Sequence, residues 1–102
     1  MKTISILVPC YNEGKNIELL YQEINKVIST LDNYQWEVLF VNDGSCDNTV
    51  EIIRSLRNQD TKVSYVDLSR NFGKENAMLA GFDYAKGDAI IIMDADYSIL
   101  RR

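Results

Sequence analysis

An α/β fold, with a parallel sheet inside a three-layer sandwich, is predicted from three observations. Short apolar runs rich in Ile and Val recur along the chain, as buried strands do. Between them lie stretches whose apolar residues fall at helical spacing. Polar turn residues close the runs, so strand–helix–strand units follow one another directly. Strands joined by helical crossovers lie parallel, with right-handed connections.

Each element has its own signal. Ile4-Ser5-Ile6-Leu7-Val8 reads as a buried first strand ended by Pro9. Ile17, Leu20, Ile24, Val27 and Leu31 line one face of a first helix, with Asn16 as its N-cap. Glu37 to Val41 forms a second buried strand, cut off by the turn Asn42-Asp43-Gly44-Ser45. Asp47 caps a second helix whose inward face is Val50, Ile53 and Leu56. Val63 to Leu68 gives a third strand, interrupted by the polar Ser64. Asn76 to Ala85 gives a short third helix, ended near Gly87. Ala89-Ile90-Ile91-Ile92-Met93 is a fourth strand, apolar on both faces.

With 102 residues the chain forms one small domain with a modest core. Its 46% apolar and 25% charged residues are ordinary globular composition rather than disorder. A net charge of −4 argues against nonspecific nucleic-acid binding, which needs a basic surface to displace counterions. The absence of histidine removes the commonest general base and the commonest zinc ligand. Cys10 and Cys46 lack CxxC spacing and read as two reduced thiols. No apolar stretch approaches the ~20 residues of a membrane span, and Pro9, Asn12 and Glu13 break the early apolar run that a signal peptide would need. A cytoplasmic location is expected.

In an open parallel sheet, ligands sit beyond the carboxyl ends of the strands. The segments expected there are Pro9 to Glu13, Asn42 to Ser45, Ser69 to Lys74, and Asp94-Ala95-Asp96, all polar. Asp94 and Asp96, at i and i+2 after an apolar strand, suit one hard cation such as Mg²⁺ or Mn²⁺ shared with phosphate oxygens. Two solvated turn aspartates would leave the same pattern. Arg70 and Lys74 flank Asn71-Phe72-Gly73 in an acidic chain. A helix starting just after Gly73 would aim unpaired N–H groups at an anion, and Arg70 suits a bidentate grip on phosphate. An ordinary basic loop is the alternative. Asp43 could accept the imino N–H of uracil or guanine, or act as a turn aspartate. Tyr11 could stack on a base and Glu13 face the same pocket, or both could simply line a loop. There is no G-x-G-x-x-G after the first strand and no G-x-x-x-x-G-K-[ST], which disfavours a dinucleotide-binding domain and excludes a P-loop.

Four ordered segments carry a resemblance. These are Ile6-Leu7-Val8-Pro9-Cys10-Tyr11-Asn12-Glu13, Val41-Asn42-Asp43-Gly44-Ser45-Cys46-Asp47-Asn48-Thr49, Ser69-Arg70-Asn71-Phe72-Gly73-Lys74-Glu75 and Met93-Asp94-Ala95-Asp96. From about Ile4 to Asp96 the chain resembles the N-terminal half of family 2 glycosyltransferases, most of all the dolichyl- or undecaprenyl-phosphate sugar transferases. The resemblance implies the nucleotide-binding half of a Rossmann-like GT-A domain. The donor it implies is a UDP- or GDP-sugar, used with Mg²⁺ or Mn²⁺, and sugar passes with inversion to an acceptor such as a polyprenyl phosphate. It implies that Pro9, Tyr11 and Glu13 line the nucleoside pocket and that Asp43 reads the base. Arg70 and Lys74 would lie near the diphosphate, Asp94 near ribose or metal, and Asp96 would be the principal metal ligand. Intact members of this kind often work at the cytoplasmic face of a membrane.

The chain departs from that pattern after Asp96, continuing Tyr97-Ser98-Ile99-Leu100-Arg101-Arg102. The acceptor side and the acidic base of inverting transfer belong to later sequence in the family. The expectation is therefore a truncated domain over 1–102, inactive alone, with no catalytic base of its own. A noncatalytic binding or assembly module and a nonfunctional gene fragment are the alternatives. A fourth strand without later neighbours would expose a sheet edge open to self-association.

Overall fold

The computed structural model describes residues 2–93. Seven elements alternate: β1 (Thr3–Cys10), α1 (Gly14–Ile28), β2 (Gln35–Asn42), α2 (Thr49–Gln59), β3 (Val63–Asp67), α3 (Lys74–Tyr84) and β4 (Ala89–Ile92). All strand pairs are parallel, in the order β3-β2-β1-β4. The expected α/β architecture is present.

Strand alternation sorts the apolar side chains into two cores, one on each face of the sheet. On one face, Ile6, Val8, Val38 and Phe40 pack against Ile17, Leu20 and Ile24 of α1 and Ile53 and Leu56 of α2. On the other, Leu7, Leu39 and Val41 meet Ala77 of α3. The α3 side packs closely: a Cβ at Gly81 would lie 2.2 Å from a Leu7 methyl, so a larger residue would require the Leu7 side chain to shift. The turn between α3 and β4 is tied to the same face by the buried Glu37. Its Oε1 accepts the Ser5 hydroxyl at 2.6 Å and Lys86 N–H at 2.9 Å. Ser5 Oγ in turn accepts Gly87 N–H at 2.8 Å.

The strand order decides where a ligand can sit. From β1 through α1 and α2 the chain steps to β2 and then β3. From β3 it returns across the opposite face through α3 and lands β4 on the far side of β1. The order thus reverses between β1 and β4, and a crevice opens at the carboxyl ends of strands at such a switch point.

Several local expectations are corrected. Pro9 does not end β1; it lies buried within it, paired in register with Val41. Leu7 O accepts Met93 N–H, so Pro9 two residues on turns its nitrogen to the β4 side, beyond the last register pair Leu7–Ile92. The missing N–H therefore costs no bond to β2. Helix α1 begins at Gly14, and Asn16 lies inside it, its side chain donating to Glu13 Oε1 rather than capping. The inward row is Ile17, Leu20, Ile24 and Ile28, while Val27 and Leu31 are exposed. In α2 Thr49 rather than Val50 is buried beside Ile53 and Leu56. Helix α3 starts at Lys74, two residues before the predicted start and directly after Gly73.

Candidate functional site

Three of the four predicted polar segments lie within the described residues, and the structure binds them into one surface. The centre is the connection from β2 to α2. Asn12, the residue after Tyr11, has a positive φ of 53°, a conformation Asn tolerates better than most side chains. That turn lets its Oδ1 accept Cys46 N–H at 2.7 Å and Asp47 N–H at 3.3 Å. Its own N–H donates to Ser45 Oγ at 2.9 Å. Farther along, Glu13 N–H donates to Thr49 Oγ1 at 3.1 Å and Gly14 N–H to Asp47 Oδ2 at 3.2 Å. Asp47 also accepts the Thr49 N–H and hydroxyl, so it caps α2 as expected, from one residue before the N-cap Asn48. Partial desolvation would raise its carboxyl pKa, but the hydrogen bonds from Thr49 and Gly14 outweigh this and lower it.

The same connection grips the third segment. Asp43 is only 3% exposed, and its Oδ1 and Oδ2 accept Phe72 N–H at 2.8 Å and Gly73 N–H at 3.1 Å. Gly44, with φ of 70°, lies so close that a Cβ there would fall 2.2 Å from the Arg70 carbonyl carbon. Asn42 Nδ2 donates to Asp67 Oδ1 at 2.9 Å, and Leu68 N–H to Asn42 O at 2.9 Å, which carries the end of β3 into the cluster.

The predicted site residues fall into distinct settings. Tyr11 is 45% exposed at the sheet edge, whereas Pro9 is buried in β1. Glu13 is half-buried and holds Asn16 Nδ2 at 3.1 Å, so its carboxylate serves the first turn of α1. Arg70 and Lys74 are exposed on the third segment, and the Arg70 guanidinium stacks over the Phe72 ring, 4.9 Å from its centroid. Gly73, φ 97°, is the N-cap of α3 and supplies no side-chain cap, so the amino end of that helix keeps its positive dipole end at this edge. Both oxygens of Asp43 already hold backbone amides, although a carboxylate has about four lone-pair sites and retains acceptor capacity. Cys10, buried beneath the edge, donates to Val41 O at 3.4 Å. Burial above all, with the charges of Glu13, Asp47 and Asp43, pushes its thiol pKa up to about 12.

Asp94 and Asp96 lie outside the described residues. Among the described residues no cluster of three or more metal-ligating side chains occurs. Met93 N–H donates to Leu7 O at 2.9 Å on the β1–β4 side of the switch point. A pair of carboxylates with phosphate oxygens is a donor set that suits Mg²⁺ or Mn²⁺.

The clasping roles of Asn12, Asn42, Ser45 and Gly44 were not legible from residue type alone. The available signals were an Asn just before a helix start, a residue tolerant of positive φ, and a Gly in a tight Asp-Gly-Ser turn.

Comparison with known proteins agrees with this geometry. The chain is 50% identical over 93 residues to the "Uncharacterized glycosyltransferase YkcC" of Bacillus subtilis, covering 90% of this chain and 28% of that protein. It is 44% identical to the prophage bactoprenol glucosyl transferase homolog of Escherichia coli K12, covering 91% and 30%. The chain thus spans less than a third of the length of these curated relatives. Among solved structures it resembles the mannosyltransferase PcManGT of Pyrobaculum calidifontis in complex with GDP-Man and Mn²⁺. The TM-score is 0.75 at 25% identity, over 91% of this chain and 27% of that one. It also resembles S. aureus TarS 1-349 in complex with UDP-GlcNAc, with a TM-score of 0.68 at 26% identity, over 94% and 27%. Among the described residues no helix is long and apolar enough to cross a membrane. The family model for glycosyl transferase family 2 matches residues 5–101, and the chain, with its parallel sheet and clasped edge, belongs to that family.

Proposed function

We propose that this chain is the donor-binding half of an inverting glycosyltransferase that takes a UDP- or GDP-sugar. The observation that carries this reading is the clasped carboxyl edge, where Asp43 and Gly44 at the end of β2 hold Arg70, Phe72 and the amino end of α3. An exposed Tyr11 beside that crevice offers a face on which a base could stack. Lys74, the first residue of α3, and Arg70 supply positive charge for a diphosphate. Asp94 and Asp96 would hold Mg²⁺ or Mn²⁺, which would offset charge on the leaving diphosphate when bound. Family resemblance and the bactoprenol-named relatives support a polyprenyl phosphate as acceptor of the whole enzyme. The chain spans less than a third of the length of these relatives, and the 102 residues by themselves are read as binding donor without turnover.

Calorimetry on the full chain with UDP and GDP, with and without Mn²⁺, tests this. Metal-dependent binding that is lost in Asp96→Ala is expected, together with no transfer from UDP-glucose or GDP-mannose to a polyprenyl phosphate. Repeated turnover would refute the claim of inactivity, and absence of binding to either nucleotide would refute the donor-site reading.

A second reading, an assembly module, is favoured by one observation. β4 is an edge strand, and Ile90, Ile91 and Ile92 are all exposed. Unpaired ladder groups beside apolar side chains template pairing with another chain. Concentration-dependent dimers in sedimentation, without nucleotide binding, would favour it.

A further inference from the structure

We propose that Asp43 is a positioning residue: its carboxylate sets the Arg70–Gly73 segment and the amino end of α3 for the donor's diphosphate. This rests on the donor-site reading above and deepens it. Two adjacent backbone N–H groups, of Phe72 and Gly73, converge on one carboxylate at 2.8 and 3.1 Å. Successive amides pointing to one side form a concavity that suits an anion, and here the chain fills it from within. Asp43 is itself immobilised, being 3% exposed, with its own N–H donated to Cys10 O at 2.9 Å. A side chain so buried, with a hydrogen bond on each oxygen, is built to hold the segment.

What it holds is what a diphosphate would need. Phe72 carries the Arg70 guanidinium over its ring, 4.9 Å from the centroid, and this contact restricts where the cation sits. Gly73 is the N-cap of α3, and Asn76 Nδ2 donates to Phe72 O at 2.8 Å, binding the turn to the helix it precedes. Gly44 provides a second hold, since its bare Cα lets the backbone at Arg70 and Asn71 pack directly on the β2–α2 connection. Releasing Asp43 would let Arg70 and the helix start move together, out of the position they hold at the end of β2.

The positioning role separates from base reading by ligand choice. Cytosine and adenine lack the imino N–H of uracil and guanine. If Asp43 only read the base, Asp43→Asn, which keeps an acceptor oxygen but loses the charge, would narrow a preference for UDP over CDP and would not weaken CDP. Positioning predicts that Asp43→Asn weakens UDP, GDP, CDP and ADP by a common factor of about tenfold or more, since each loses the same charge-assisted hold on the loop. The apo protein gives a readout that needs no nucleotide. In the wild-type full chain, Phe72 and Gly73 amide protons should resist hydrogen exchange, and Asp43→Asn should shift both resonances and speed their exchange. Gly44→Ala should disturb the same amides while leaving the carboxylate intact. Fast exchange of both amides in the wild type would overturn the proposal, even if no variant folds. Protected amides with no nucleotide binding would sink the donor-site reading and, with it, the positioning role, leaving Asp43 as a structural tie. Selective loss of UDP and GDP binding alone would overturn it in favour of base reading.

Discussion

β2 and β4 are both apolar strands, yet they lead opposite lives in this molecule. Val38, Leu39, Phe40 and Val41 of β2 are buried at 0–1% exposure between helices on both faces, whereas Ile90, Ile91 and Ile92 of β4 stand 36–47% exposed. The two sequences say the same thing about the cover each strand was composed for. Place in the sheet decides whether that cover arrives. β2 lies between β1 and β3 with α1, α2 and α3 above and below. Among the described residues β4 pairs only with β1, and an apolar groove of about 440 Å³ opens beside it, lined by Ile6, Val27, Leu31, Trp36, Ile91 and Met93 among others. Val27 and Leu31 belong to the face predicted for α1, and they point into this groove rather than into the core.

The largest effect is expected at the buried end of the contrast. Phe40→Ala should destabilise the chain by about 3–5 kcal/mol in urea titration, a large share of a small domain's stability. A loss below ~1 kcal/mol would mean that the core on the α1 and α2 face is far looser than its burial implies. Cys10 provides the next test. Its thiol stays protonated in the fold up to about 12, while in the unfolded chain it ionises near the ordinary value of 9.0. A raised folded pKa gives stability that is full below pH 9 and is lost as pH climbs from there toward 12. Between pH 8 and pH 10 the wild type should therefore lose about 1.4 kcal/mol more than Cys10→Ala does. Equal losses in the two proteins would refute burial of that thiol. The smallest change in stability is expected at the exposed strand. Ile91→Lys should alter unfolding free energy by only about 0.5 kcal/mol, yet reduce any concentration-dependent association seen in sedimentation. A large loss of stability there would show that β4 is covered in solution, and the contrast with β2 would fail.

Much of the molecule was legible from residue order, and the misses share a physical cause. The strand–helix alternation and the burial of β2 survive as predicted, because periodicity reports directly on which faces seek burial. The start of α3 was placed two residues late because Gly73 reads as a loop residue, while its positive φ in fact forms the helix N-cap. Pro9 reads as a stop, since a lost N–H normally ends a strand. Its nitrogen faces the β4 side, beyond the last described pair Leu7–Ile92, which depends on where β4 docks. At the edge, Asp43 was singled out for a base, whereas the fold engages both its oxygens with amides from a segment about thirty residues away. Asn12 and Gly44 carry equal weight in the clasp, but a hydrogen bond or close approach between distant segments leaves no local pattern to read.

Residue order alone settles the class of fold and the chemical character of its edge. Apolar period, turn residues and four ordered polar segments are local properties, written in each stretch of chain independently of the others. The position of β4 is of another kind. An apolar strand would satisfy its pattern equally well at the centre of a sheet, and only the return of α3 across the opposite face sets it beside β1 as an edge. That single docking event creates the switch point, delivers Met93 to the ligand edge, and leaves the isoleucines in water. The clasp around Asp43 likewise exists only once three connections converge, because its bonds join residues that share no neighbourhood until the sheet has formed.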